Sequence, residues 1–270
     1  MATKNATGYN AEKYGMQTAP YAAAIKAIFN GEKEVLDSLE PDGADPALKK
    51  FALAGEMLNA VSNYIVINGI SKAVMNSKDE EALNNARKSL YKSIIYLEDV
   101  VTGYVDAPYS DYKDRLEAIE SIPPADRYIL LRKMGLVIDL VASAYADNLK
   151  WKWSFVELKG RFAAVAKNLI DMDRLTANSD TRSPHYEPTI CHLRLVKKLL
   201  GLVAERYREK YELSTKSIED FNRSLGFLSA LRRLHILTGA RTEAETIKKK
   251  LDTWNSKLAA DISKQKKEKK

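Results

Sequence analysis

Apolar residues recur at alternating intervals of four and three from Leu130 to Met172: Leu130, Met134, Val137, Val141, Ala144, Trp151, Phe155, Leu158, Phe162, Val165, Leu169 and Met172. Asn148 is the one polar position in that register. A spacing of 3.5 residues keeps one stripe facing one partner along a helix. No proline falls between Pro124 and Pro184, so the pattern predicts one long central helix over about 124–175. Its part from 130 to 172 would alone run roughly 65 Å at about 1.5 Å per residue. Gly135 and Gly160 lie inside it. Each costs up to about 1 kcal/mol relative to alanine, and each is a candidate for a bend or a close helix contact. Asn148 either fixes register, as single buried asparagines do in coiled coils, or marks where the stripe thins.

The remaining periodicity is helical too. Residues 1–17, small and polar with Gly8 and Gly15, read as a flexible N-terminal arm. A first helix over about 18–39 carries Ile25, Ile28, Phe29, Val35 and Leu36, and Glu40-Pro41-Asp42-Gly43 stops it. Asp45 offers an N-cap and Pro46 a first helical position for a second helix to about Met75. Ser77 and Glu80 form a capping-box pattern ahead of a third, which ends near Gly103. Tyr104 to Ser110 reads as a loop, and about 111–120 as a short helix. The polar stretch 177–187 reads as a linker or exposed loop. Three further helices, over about 188–213, 217–237 and 243–262, follow. Ser217 with Asp220 and Thr242 with Glu245 supply their caps, and Gly239 ends the middle one. No segment shows a two-residue strand alternation. The expected fold is all-α: an elongated helical bundle with an N-terminal helical domain over 18–176, a C-terminal bundle over 188–263 and a basic tail over 264–270.

Twelve glycines and eight prolines in 270 residues suit long helices and short connections. The net charge of +7 changes the picture only at one end. Nine lysines against three acids lie between Lys248 and Lys270, so the rest of the chain carries about +1. A near-neutral body argues against the body itself gripping a polyanion. The tail, with Lys266, Lys267, Lys269 and Lys270, is either a contact for nucleic acid or an anionic membrane, or a solvated end that aids solubility. The single Cys191 excludes an intrachain disulfide and a cysteine-based metal site. No apolar run is long enough to span a membrane, and the first residues carry no secretory signal. That places the chain in the cytoplasm if it is full length, and in the periplasm if it is a mature exported form.

Candidate chemistry is sparse. His185, His192 and His235 form no metal-ligand spacing, and no Glu-x-x-His, Cys-x-x-Cys or phosphate-cradling loop is present. Asp171 and Asp173, two apart, point to different helix faces and read as a solvated helix end. No catalytic residue, cofactor or metal is expected. Trp151 and Phe155 belong to the apolar stripe. Trp153 points away by roughly 200° and is a candidate for a second interface. Tyr207 and Tyr211 share a helix face and are further interaction candidates. Fourteen tyrosines against six phenylalanines favour half-buried seams and intermolecular contacts.

The long helix over 124–175, the arm before Thr18, the helical body without catalytic motifs and the lysine-rich end at 264–270 together resemble the flagellar-coiling family. These are the helical coat proteins of spirochaetal periplasmic flagella. The resemblance implies export, assembly on a flagellar filament and a role in filament shape and motility. From the residues alone, the expected function is a non-enzymatic structural or assembly protein that packs against like or unlike protein subunits. A polyanion-binding adaptor using the lysine tail is the alternative, and a helical enzyme or small-ligand binder with a cavity beside Trp151 to Phe155 is a third reading.

Overall fold

The computed structural model describes residues 2–39, 45–145 and 151–268, with side chains for 9–39, 46–145 and 151–264. Among the described residues no strand occurs, and the expected all-α fold is borne out. The helices are α1 (Ala2–Asp37), α2 (Asp45–Met75), α3 (Glu80–Val100), α4 (Lys113–Glu117), α5 (Pro124–Ala144), α6 (Lys152–Asn168), α7 (Leu175–Asn178), α8 (Tyr186–Lys210), α9 (Ile218–Leu237) and α10 (Arg241–Glu268). The chain divides into two compact units. One comprises Met1–Val101 and Asp114–Leu149, the other Thr102–Lys113 and Lys150–Lys270. The division therefore falls elsewhere than the polar stretch 177–187, and the second unit takes in more than 188–263.

In the first unit α2 and α3 pack side by side, with α1 against α2 and α5 against both α2 and α3. The core is aliphatic, centred on Met57, Leu58, Leu83, Leu90, Ile94 and Leu97. Ser93 Oγ donates to the Ala54 carbonyl at 2.7 Å across the α2–α3 seam, which keeps a buried hydroxyl satisfied. Asn76, at φ 52°, follows the end of α2 in the left-handed conformation that asparagine tolerates. Asp79, not Ser77, caps α3: its Oδ1 accepts from the Ala82 N–H at 2.8 Å. The expected arm before Thr18 is instead part of α1. Its Tyr14 hydroxyl donates to Asp79 Oδ2 at 2.5 Å, and Tyr14, Tyr21 and Phe29 pack on Ile25, Ile67 and Ala82.

The expected central helix over 124–175 is not one helix. α5 ends at Ala144, α6 begins at Lys152, and α6 itself stops at Asn168. Leu130, Met134, Val137 and Val141 are buried in the first unit, whereas Phe155, Leu158, Phe162, Val165 and Leu169 are buried in the second. An unbroken register thus serves two separate cores, because periodicity specifies a face and not the partner behind it.

In the second unit α8 packs on both α6 and α9, and α10 packs on α9. A π-helical turn, Tyr211–Thr215, follows α8 and ends at Lys216 with φ 50°. Asp220, at the start of α9, accepts from Lys210 Nζ at 2.8 Å and from Thr215 Oγ1 at 2.7 Å, which locks that turn. Gly239, at φ 72°, ends α9 as the sequence anticipates.

Candidate functional site

The most unusual surface of the first unit is the outer side of α5. The inner side buries Leu130, Leu131, Met134, Val137, Ile138 and Val141. Ile129, Leu136 and Leu140 on the outer side are 59%, 63% and 45% exposed. At about 100° per residue their spacing of seven and four places them within roughly 40° of one another, a narrow apolar line. Arg132, with its guanidinium 6.0 Å from the Tyr128 ring, flanks the line. A helix apolar on both sides is ordinarily a buried helix, and an apolar line with a charged rim is the usual composition of a protein contact.

The start of α5 is rigid. Pro124 occupies its first turn, and Arg127, itself 6% exposed, donates from Nε to the Ile122 carbonyl at 3.0 Å and from Nη2 to the Ile119 carbonyl at 2.7 Å. Those bonds neutralise backbone acceptors of the preceding turn and fix the direction in which the helix leaves it.

The anticipated interaction residues fall in different places. Trp153 is half-buried on α6, with Lys152 Nζ 4.7 Å from its ring and that lysine paired to Glu209 at 2.7 Å. Tyr207 and Tyr211 are each 2% exposed and lie inside the second unit. Tyr207 stacks on Phe227 at 5.7 Å and 10°. Tyr211 meets Phe221 edge-on at 4.9 Å and donates its hydroxyl to Asp261 Oδ2 at 2.9 Å, so burial and that carboxylate push its pKa up to about 12. Their shared face packs against helices within the unit. Asn148, Lys269 and Lys270 lie outside the described residues, as do the side chains of Lys266 and Lys267.

Asp171 and Asp173 are not merely solvated. Asp171 Oδ1 accepts from the Tyr109 hydroxyl at 3.2 Å, and Asp173 pairs with Lys113 at 2.8 Å. Asn168 Nδ2 donates to the carbonyls of Thr102 at 2.8 Å and Tyr104 at 3.1 Å. Lys167 Nζ donates to the Ala107 carbonyl at 3.3 Å. These bonds tie the segment Thr102–Lys113 across the C-terminal end of α6.

His192, 6% exposed, places Nε2 2.8 Å from the Ala166 carbonyl, and His185 stands at the N-cap of α8. Among the described residues no group of three or more His, Cys, Asp or Glu side chains is placed to hold a metal ion. No helix among them is long and apolar enough to cross a membrane.

Sequence reasoning missed the α5 line because Ile129, Leu136 and Leu140 stand off the four-three register. Their surplus over the apolar residues that register requires was the available signal. The model of the TP0443 family, which bears a Treponema name, matches residues 10–262 of the chain. No curated protein matches it.

Proposed function

The chain belongs to the TP0443 family, and from that membership together with the outer face of α5 we propose that it is a non-enzymatic structural protein of a spirochaete, a helical subunit that packs in a larger assembly. The line Ile129, Leu136 and Leu140 carries this reading. Full burial of an aliphatic side chain of this size contributes about 1.5–3 kcal/mol, so three in a row give a partner a substantial anchor. The finer form of the proposal is a coat subunit of the periplasmic flagellar filament that acts in filament shape and motility. It rests on the resemblance already described; the Treponema name of the family bears on a spirochaetal source alone.

Sedimentation of the purified chain over a concentration series tests the assembly reading. Mass should rise with concentration, and the double variant Leu136→Glu, Leu140→Glu should return a monomer with an unchanged helical circular-dichroism spectrum. A parent chain that stays monomeric throughout, with no protein crosslinked to it in cells, overturns the proposal. Periplasmic filaments purified from the parent spirochaete should carry the chain, and their lacking it overturns the flagellar form alone.

A further inference from the structure

Lys167 and Arg233 line one cavity of about 290 Å³ in the second unit, roofed by Ala107 and Pro108 of the segment Thr102–Lys113. Lys167 stands in the apolar run Ala163–Ile170 and is only 8% exposed. Its ammonium donates at 3.3 Å to Ala107 and lies 5.3 Å from the Tyr112 ring. An ammonium has three N–H donors, so most of its capacity is unspent. Among the described residues neither Lys167 nor Arg233 forms an ion pair.

Two cations lining one cavity, one of them desolvated, is a costly arrangement unless a negative charge joins them. Burial first, and Arg233 second, lower the Lys167 pKa to about 8; Asp106, which also lines the cavity but is exposed, opposes them. The rest of the lining is Tyr109 and Tyr112 together with the apolar Met172, Ala230, Leu234 and Leu237. Cationic groups and apolar side chains lining one half-open cavity suit an amphiphilic ligand.

We infer that this cavity binds a small organic anion, a carboxylate or phosphate monoester with an apolar body, whose charged head bridges Lys167 and Arg233. The guanidinium offers a two-pronged donor and the ammonium a compact charge, which suits either head group. The apolar body lies along Met172 and Leu234. The site is separate from the α5 surface and does not depend on the assembly reading.

Calorimetric titration and thermal shift on the full chain test it with three probes. Octanoate supplies head and tail, inorganic phosphate a head alone, and 1-octanol a tail alone. Octanoate should bind saturably and raise Tm. Phosphate should bind more weakly, and 1-octanol weakest of the three. Phosphate binding tighter than octanoate also supports the site and assigns its head as a phosphate ester. Lys167→Met and Arg233→Gln should each weaken anion binding about ten-fold or more, the usual consequence of losing one charged hydrogen-bond partner. Arg233 is exposed on α9, so Arg233→Gln should keep the fold, and because Lys167→Met also removes the bond to Ala107 its circular dichroism is compared with that of the parent. No saturable binding by either anion overturns the inference, as does 1-octanol binding as tightly as octanoate. Binding undiminished in both variants overturns it too.

Discussion

Tyr207 lies across Gly160: a Cβ built on the glycine would stand 2.9 Å from both Cε2 and the hydroxyl oxygen of the tyrosine. Real Cβ atoms do not approach so closely, so the Tyr207 ring must move off its stack on Phe227. Gly160→Ala gains up to about 1 kcal/mol of helix propensity. Displacing the ring from that stack costs about 1–3 kcal/mol, so the net change is a loss. Urea unfolding should show a lower midpoint at unchanged slope, and adding Tyr207→Leu should reduce the penalty of the alanine. Gly31 on α1 has nothing within 4 Å of its Cβ position, so Gly31→Ala should raise stability by up to about 1 kcal/mol.

Glu32 is the polar pin between α1 and α3. It is 4% exposed and accepts from Lys92 Nζ at 2.5 Å and from the hydroxyl of Tyr96, a side chain 6% exposed. The Lys92 side chain is 41% exposed, so its ion pair contributes little. The tyrosine contact matters more. Glu32→Ala leaves a buried hydroxyl without its acceptor, which costs about 1–3 kcal/mol. Glu32→Gln retains an acceptor and should lose less. Limited proteolysis should cut α1 of the alanine variant first, and equal resistance in both variants would remove Glu32 as the pin.

The helices were legible because their apolar faces recur with helical period, and Gly239 was legible because only a left-handed residue closes α9 so tightly. α1 was read too short because its inner face begins with Tyr14, Thr18 and Tyr21. These have the right spacing but not the aliphatic character that marks a core, and Thr18 is nonetheless only 8% exposed. The register over 130–172 was legible as a face. That it serves two cores was not, since nothing in periodicity records what lies opposite. Lys167 was visible as a lone cation within Ala163–Ile170, but the approach of Arg233 depends on packing between elements far apart in the chain. The α5 line was visible only as surplus.

Lys167 gives stability a distinctive alkaline profile. Its folded pKa of about 8 lies below the unfolded value of 10.5. Between those values the unfolded chain binds more protons, so stability rises with pH across that window. Arg233 on α9 lowers this pKa, and Asp106 opposes it. Lys197, also lowered chiefly by burial, acts in the same direction. Tyr14, Tyr109 and Tyr211 act oppositely: burial first, and then acidic neighbours, raise each from 10.0 to about 12, so the unfolded chain loses those protons first. Stability contributed by these tyrosines is complete below pH 10 and is lost as pH climbs towards 12. Chemical unfolding at intervals from pH 7 to 11 should therefore show a rise from about pH 8, of order 2 kcal/mol, and a fall above 10. Lys167→Met should shrink the rise and leave the fall. An unchanged rise in that variant would mean that Lys167 is not the group responsible.

Deletions that probe the basic tail depend on where α10 is cut. Trp254, 3% exposed, meets Phe221 edge-on at 6.3 Å and lies under Arg208 and Lys250 at 4.9 and 5.0 Å. Leu258 is 8% exposed, and Asp261 accepts from Tyr211. A chain ending at Lys250 loses all three residues and uncovers Tyr211 and Phe221. Removing a buried tryptophan side chain alone typically costs about 3–5 kcal/mol. Its Tm should fall steeply and its near-ultraviolet circular dichroism should weaken. A chain ending at Ser263 keeps these contacts and should melt with the parent. Duplex DNA and anionic vesicles are therefore informative only with the Ser263 cut. Tail-driven binding would disappear in that chain and weaken steeply with salt in the parent. Binding that survives the cut would belong to the folded body, and the lysine tail would then have no part in it.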